Sequence, residues 1–265
     1  VTDRTPGRLR AAGITLGYDD VVISRDLDLV VPDGAFTVIV GPNACGKSTL
    51  LRSLSRLLRP RAGDIILDGA SIHGYPAKEV ARRLGLLPQG SLAPEGIRVA
   101  DLLARGRYPH QSFLGRWSAR DEAACHEAMV ATGLADLSDR LVDTLSGGQR
   151  QRVWIAMVLA QETPILLLDE PTTHLDLGHQ IEVLDLCADL NRRLDRTVVA
   201  VLHDLNQAAR YATHLVAMEG GEVVATGAPE AVLSAALVSR LFGVRCEVMP
   251  DPFSGRPLII PLARD

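Results

Sequence analysis

"TVIVGPNACGKST", residues 37–49, decides the fold: an apolar strand runs into a glycine-rich loop, and the loop into a helix that opens on Lys47 and Ser48. The loop fits G-x-x-x-x-G-K-[ST] in the strand-to-helix setting that raises this motif above chance. Its backbone N–H groups and the helix start surround phosphate oxygens, which makes Gly41, Pro42, Asn43, Ala44, Cys45 and Gly46 a phosphate cradle. Lys47 then meets the β and γ phosphates, Ser48 ligates Mg²⁺, and Thr49, which follows it, is expected among the ATP-binding residues. The competing reading is a chance turn with a surface lysine. Against it, Lys47 and Lys78 are the only lysines among 28 basic residues, so a lysine at this place calls for a reason.

Outward from the loop, the pattern is that of an α/β chain. "LRAAGITLGY", "LDLVV" and, after the turn "PDG", "AFTVIV" read as strands; "KSTLLRSLSRLL" reads as a helix ended by Pro60 and Gly63, and "GDIILDG" as a strand. "YPAKEVARRLG" is a short helix before the strand "LGLLPQ". From about 96 to 160 helices follow one another without apolar strands, the texture of an inserted helical subdomain. Strand and helix alternate again from 164 through "PILLLDE", "RTVVAVLHD", "HLVAME" and "EVVATG", as in a mostly parallel sheet covered by helices. The expected fold is therefore a P-loop NTPase of the α/β class, with a mostly parallel core, an N-terminal antiparallel β part and the helical insertion. A domain spanning 8–248 is followed by a tail, 249–265, in which "DPFSG" turns a small hairpin.

Composition sets limits on function. The chain has 265 residues, 47% of them hydrophobic, ample for a core, and a net charge of −4, which gives no basic field for nucleic acid. No apolar run approaches the roughly 20 residues that cross a bilayer, and the N-terminus lacks the apolar core of a signal peptide, so the chain is expected in the cytosol. Cys45, Cys125, Cys187 and Cys246 show no CxxC spacing, which argues against a metal cage or a disulfide framework; three read as packing residues and Cys45 as incidental to its loop.

A second strand, "ILLLDE", runs from buried residues straight into Asp169 and Glu170. Adjacent carboxylates there repel unless a cation is near. Asp169 is expected in the Mg²⁺ shell and Glu170 as the general base for the attacking water, against solvated acids at a strand end. A third strand ends at His203, and open α/β sheets place ligands at the carboxyl ends of strands, so these groups are expected at one edge. His203 would hydrogen-bond the γ-phosphate, or else cap the next helix. Gln89 would sense Mg²⁺ and the attacking water, or else be a loop amide. Tyr18 would stack on an adenine, or else fill an edge cluster.

"LSGGQRQR", residues 145–152, supplies another helix start. Ser146 and Gln149 form a capping box with Leu145 as its staple, which accounts for Ser and Gln and leaves Gly147 and Gly148 without a reason. Each Gly costs a helix roughly 1 kcal/mol against Ala. Bare backbone at a helix N-terminus is what an anion approaches closely, so this looks like a second phosphate-binding end. Two copies placed head to tail about a twofold would let each such end close over nucleotide held by the other copy's first loop.

Together and in this order, the loop at 41–49, Gln89, "LSGGQRQR", "ILLLDEP", "LD" at 175–176 and His203 resemble the nucleotide-binding subunit of ATP-binding cassette (ABC) transporters over nearly the whole chain. The resemblance implies an ATPase using ATP and Mg²⁺, a composite dimer of two copies with Asp176 in the loop communicating between sites, partner permease subunits in the membrane, an extracytoplasmic substrate-binding protein reached indirectly, and a peripheral place on the cytoplasmic face. "LLARGRYPHQSFLGRW", "DEPTTHLDLGHQIEVLDL", "VLHDLNQAARYA" and "DPFSGRPLIIP" narrow it to importers of ferric siderophores, a group that includes haem and cobalamin importers. Import rests on resemblance alone. Two departures stand out: "TTH" before Leu175 where many relatives have "SA", and Ala44 where the family usually has a third glycine, a methyl that is tolerable if φ is negative there. Tyr108, Phe113 and Trp117 crowd the insertion with aromatics, in a region resembling the one that receives a cytoplasmic helix of the membrane subunit; a hydrophobic cluster internal to the insertion is the alternative. A non-transport cassette acting on DNA or ribosomes would be expected to carry a coiled coil, a zinc-bearing insertion or a second cassette. A small-molecule P-loop kinase would leave "LSGGQ" idle.

Overall fold

Five consecutive residues, Phe36–Val40 (β3), are all buried, as a strand covered on both faces requires. The computed structural model describes residues 7–90, 93–111, 116–173 and 175–263, and divides into two units, one made of residues 1–74 with 197–265 and the other of 75–196. The first unit opens with β1 (Leu9–Tyr18) and β2 (Val21–Val31) before β3, then α1 (Lys47–Leu54), β4 (Ala62–Leu67) and β5 (Ala70–Ser71). The second unit holds α2 (Ala77–Arg83), β6 (Leu84–Leu87), α3 (Val99–Arg105), α4 (Ala119–Ala131), α5 (Gly147–Ala160), β7 (Ile165–Asp169) and α6 (Leu177–Leu194). The chain then returns to the first unit with β8 (Thr197–Val201), α7 (Leu205–Tyr211), β9 (His214–Glu219), β10 (Glu222–Gly227), α8 (Pro229–Val232), α9 (Ala235–Phe242), β11 (Cys246–Pro250) and β12 (Pro257–Pro261).

In the first unit β1 pairs antiparallel with both β2 and β4, and its buried residues alternate with half-buried ones over much of its length, as one-sided packing requires. The second layer of strands is different. β3 lies parallel between β8 and β9, with Ile39 opposite Val201 and Val40 opposite Ala217, and all of β8 is buried. In the second unit β6 and β7 are parallel, Leu87 facing Leu168. Parallel strands end at the same edge, so the loop after β3 lies with the residues after β8, and the residues after β6 lie with those after β7. The expected α/β fold, parallel in its core and antiparallel at the N-terminal side, is the one observed, with the successive helices α3, α4 and α5 in the expected insertion.

Two boundaries differ from expectation, and one stretch gains structure. The helix after the loop ends at Leu54, well before Pro60, because Ser55 Oγ donates back to the Arg52 carbonyl at 2.9 Å, Arg56 adopts φ 68°, and the N–H groups of Leu57 and Leu58 turn back to Arg52 O. The C-terminal hairpin begins at Cys246, so a boundary at 249 falls inside its first strand; Asp251 organises the turn by accepting from the N–H groups of Phe253 and Ser254. Residues 229–242, unassigned in the sequence, form α8 and α9, the latter capped by Ser234.

Candidate functional site

The loop after β3 is built as a cradle. A Cβ on Gly41 would stand 2.2 Å from the Met218 carbonyl oxygen of β9, so only glycine lets β3 turn there against its neighbour. Lys47, 5% exposed, folds its ammonium back over the loop and donates to Gly41 O at 2.9 Å and Pro42 O at 2.8 Å. α1 begins with neither a side-chain cap nor an acidic residue in its first turn, so no carboxylate competes with an anion for its leading N–H groups. Ser48 and Thr49 occupy its first turn. Cys45 is not incidental: its buried thiol lies against Gly41 and 4.0 Å from Lys47 Nζ, and burial pushes its pKa up, which marks it as packing like the other three buried cysteines.

Ala44 departs from the condition set for it. Its φ is +61°, in the left-handed region, where an L side chain costs roughly 1–2 kcal/mol. Ala44→Gly is therefore expected to raise the thermal unfolding midpoint, the relief of strain outweighing the roughly 0.4–1 kcal/mol of unfolded-state entropy that glycine adds. A lowered midpoint would mean that the loop relaxes around the methyl.

Elsewhere in the first unit, Tyr18 ends β1, 39% exposed, with its hydroxyl accepting from Arg52 Nη1 at 3.3 Å. The ring is thus held at the surface and not closed into an edge cluster. His203 follows β8, exposed, at the same edge as the phosphate loop. It does not cap α7; Asp204 does, accepting from the N–H groups of Asn206 and Gln207.

In the second unit Asp169 ends β7 and is 3% exposed, a buried ionisable group at a strand end. Glu170 turns out of the strand at φ 53°, and its Oε2 accepts from Gln89 Nε2 at 2.7 Å and from Thr173 Oγ1 at 3.0 Å. Gln89 is therefore no ordinary loop amide. It stands at the end of the strand beside β7 and orients the carboxylate. Thr173 was missed in the sequence, although its place three residues after Glu170 allows a local hydroxyl-to-carboxylate bond. A cleft of about 290 Å³ opens beside these groups, lined by Gln89, Gly147, Arg150, Asp169, Glu170 and others.

The second helix start is capped as expected: Gln149 N–H donates to Ser146 Oγ at 3.2 Å and Ser146 N–H to Gln149 Oε1 at 3.1 Å. The two glycines behind it differ from one another. A Cβ on Gly147 would meet nothing within 4 Å, whereas one on Gly148 would lie 2.5 Å from the His179 ring. Gly147 is the bare backbone inferred from the sequence; Gly148 is glycine for a packing reason. Asp176 caps α6, accepting from His179 N–H at 2.9 Å, and its pKa is held low by that bond first and then by the His179 side chain.

On the helical insertion, Tyr108 is 65% and Trp117 43% exposed, so neither is closed into a cluster. They flank a groove of about 580 Å³ that Asp101, Ala104, Arg105 and Gln111 complete. Lys78 Nζ sits 4.6 Å from the Tyr108 ring centre and donates to Gln111 O, fixing one wall. Phe113 lies outside the described residues.

A family model described as ABC transporter matches residues 24–173. The ferric enterobactin transport ATP-binding protein FepC of Escherichia coli (strain K12) is 56% identical over 257 residues, 97% of this chain and 95% of that protein. The probable siderophore transport system ATP-binding protein YusV of Bacillus subtilis (strain 168) is also 56% identical, over 95% of this chain and 91% of its own. Among solved structures, the dimeric structure of MJ0796, a bacterial ABC transporter cassette, matches with a TM-score of 0.73 and 26% identity across 83% of this chain and 98% of that one.

Proposed function

Because the chain belongs to the ABC transporter family, we propose that it is the ATP-hydrolysing subunit of an importer, energising uptake of ferric siderophore through partner permease subunits. What carries the substrate class is the 56% identity, over almost the full length, to two siderophore transport ATP-binding proteins.

The residues support the chemistry. Lys47 and the N–H groups at the start of α1 hold the phosphates, and Tyr18 offers its exposed ring to the base. Glu170, its carboxylate aimed by Gln89 and Thr173, takes a proton from the attacking water as that water bonds to the γ-phosphorus; the bond to the ADP oxygen breaks, and ADP and inorganic phosphate leave. His203 donates to the transferring phosphoryl group. Among the described residues no cluster of three metal-ligating side chains exists, and Mg²⁺ does not need one, since it is usually held by one or two protein oxygens together with phosphate. The hydroxyl of Ser48, the buried carboxylate of Asp169 and the amide oxygen of Gln89 are hard donors that fit it. Bound there, Mg²⁺ would neutralise charge developing on the phosphate oxygens.

A second copy of the chain provides the other half of each site, its Ser146–Gly147 helix start meeting the nucleotide. The permease docks on the Tyr108–Trp117 groove, whose exposed aromatics are the residue types that anchor interfaces. No helix among the described residues is long and apolar enough to cross a membrane, in keeping with peripheral attachment at the cytoplasmic face. The test is uptake in cells lacking this chain. Ferric siderophore uptake is expected to fall to background, to return with the parent chain and to stay absent with Glu170→Gln. Unchanged siderophore uptake with lost haem or cobalamin uptake would move the chain to another substrate.

A further inference from the structure

His179 stands three residues into α6, and its imidazole joins two segments that the function needs. Asp176 Oδ1 accepts from both the His179 N–H, at 2.9 Å, and its ring Nδ1, at 2.7 Å. The other side of the ring lies on Gly148, so close that a Cβ there would be 2.5 Å from Cδ2, 2.8 Å from Cγ and 3.0 Å from Nε2. We propose that His179 is a positioning residue for ATP hydrolysis, holding the Asp176 loop against the start of α5 so that the two present themselves to nucleotide as one piece.

The proposal rests on the ATPase reading above and adds to it a division of labour between the two glycines. Gly148 is a socket for an imidazole, since any larger residue would drive the ring off and break the Asp176 bond. Gly147, with open space around it, remains for the ligand. The ring also couples the two segments in direction: a shift of Asp176 is transmitted through the short Nδ1 bond to a ring already in contact with the helix start. Because the His179 ring is engaged with Asp176 and Gly148, its removal misplaces those groups and leaves the Lys47 loop, which holds the phosphates, chemically unchanged.

Steady-state ATPase measurements on the full chain test this. His179→Ala is expected to lower kcat about tenfold with KM for ATP within about twofold, the split that misplacement without loss of ground-state binding produces. His179→Asn, whose amide keeps a donor near the Nδ1 position, should recover most of the rate. Gly148→Ala alone should lose more than His179→Ala, and the double variant should return to the level of His179→Ala, because the methyl no longer meets a ring. A kcat for His179→Ala equal to the parent's, or a rise in KM with kcat held, would overturn the proposal. So would a double variant as impaired as Gly148→Ala, which would assign the glycine to nucleotide. A parent chain with no ATPase activity would instead defeat the reading on which the proposal rests.

Discussion

Glu170→Gln is expected to slow ATP hydrolysis about 10²- to 10⁴-fold, the range for losing a general base, while leaving ATP affinity within about twofold. The expectation is sharp because the substitution disturbs so little else. Two donors to this side chain, Gln89 Nε2 and Thr173 Oγ1, bond the same oxygen, Oε2, and a glutamine carbonyl accepts the same pair of bonds. The backbone at φ 53° is as costly for Gln as for Glu, so no new strain enters. What disappears is the capacity to take a proton. Single-turnover hydrolysis and a fluorescent-nucleotide titration separate the two quantities. Turnover within about threefold of the parent would remove Glu170 from the role of base, leaving it to orient water or to organise Thr173. Weakened binding with unchanged single-turnover rate would place the carboxylate among the groups that hold the substrate.

Much of this site could be read from the sequence because its chemistry is local. The phosphate loop announces itself by a strand, its glycines and a rare lysine within residues 37–49, and Asp169 and Glu170 by the abrupt end of an apolar run. The capping box at Ser146 and Gln149 needs only i, i+3 spacing. What escaped reading depends on where distant segments meet. Nothing near Gly148 predicts that a ring from residue 179 will occupy the space a Cβ would fill. The sign of φ at Ala44 is set by the loop as a whole and not by the alanine, and the end of α1 at Leu54 follows from Arg56 entering the left-handed region although Leu57 and Leu58 continue the apolar pattern. Asp176 was read for its part in communication, and the structure adds that it is a helix cap. Most opaque was a buried charge cluster in the helical insertion, since charged residues scattered along helices read as a solvated face.

That cluster carries the largest expected effect on stability. Arg107 is 1% exposed; its Nε donates to Asp121 Oδ1 at 2.9 Å, and its Nη1 to Glu162 Oε2 at 2.7 Å and to the Ala160 carbonyl. Asp121 also accepts from the hydroxyl and the N–H of Ser118, closing the box that starts α4. The Ser118 hydroxyl bond and, against the opposing effect of burial, Arg107 hold its pKa at about 2, below the ordinary 3.8. Asp121→Ala leaves the Nε of a buried guanidinium without its carboxylate and is expected to cost about 3–5 kcal/mol, as breaking one side of a buried pair does, with Glu162 limiting the loss. The sign of the pH dependence follows from the depressed pKa. The carboxylate contributes its full stability above the ordinary carboxylate range and loses it as pH falls through that range toward about 2. Urea unfolding of the parent and of Asp121→Asn should therefore show a gap that is widest near neutral pH and narrows steadily in acid. A gap that stays constant from pH 7 down to about 2.5 would mean that the shape of the side chain, and not its charge against Arg107, holds the insertion together.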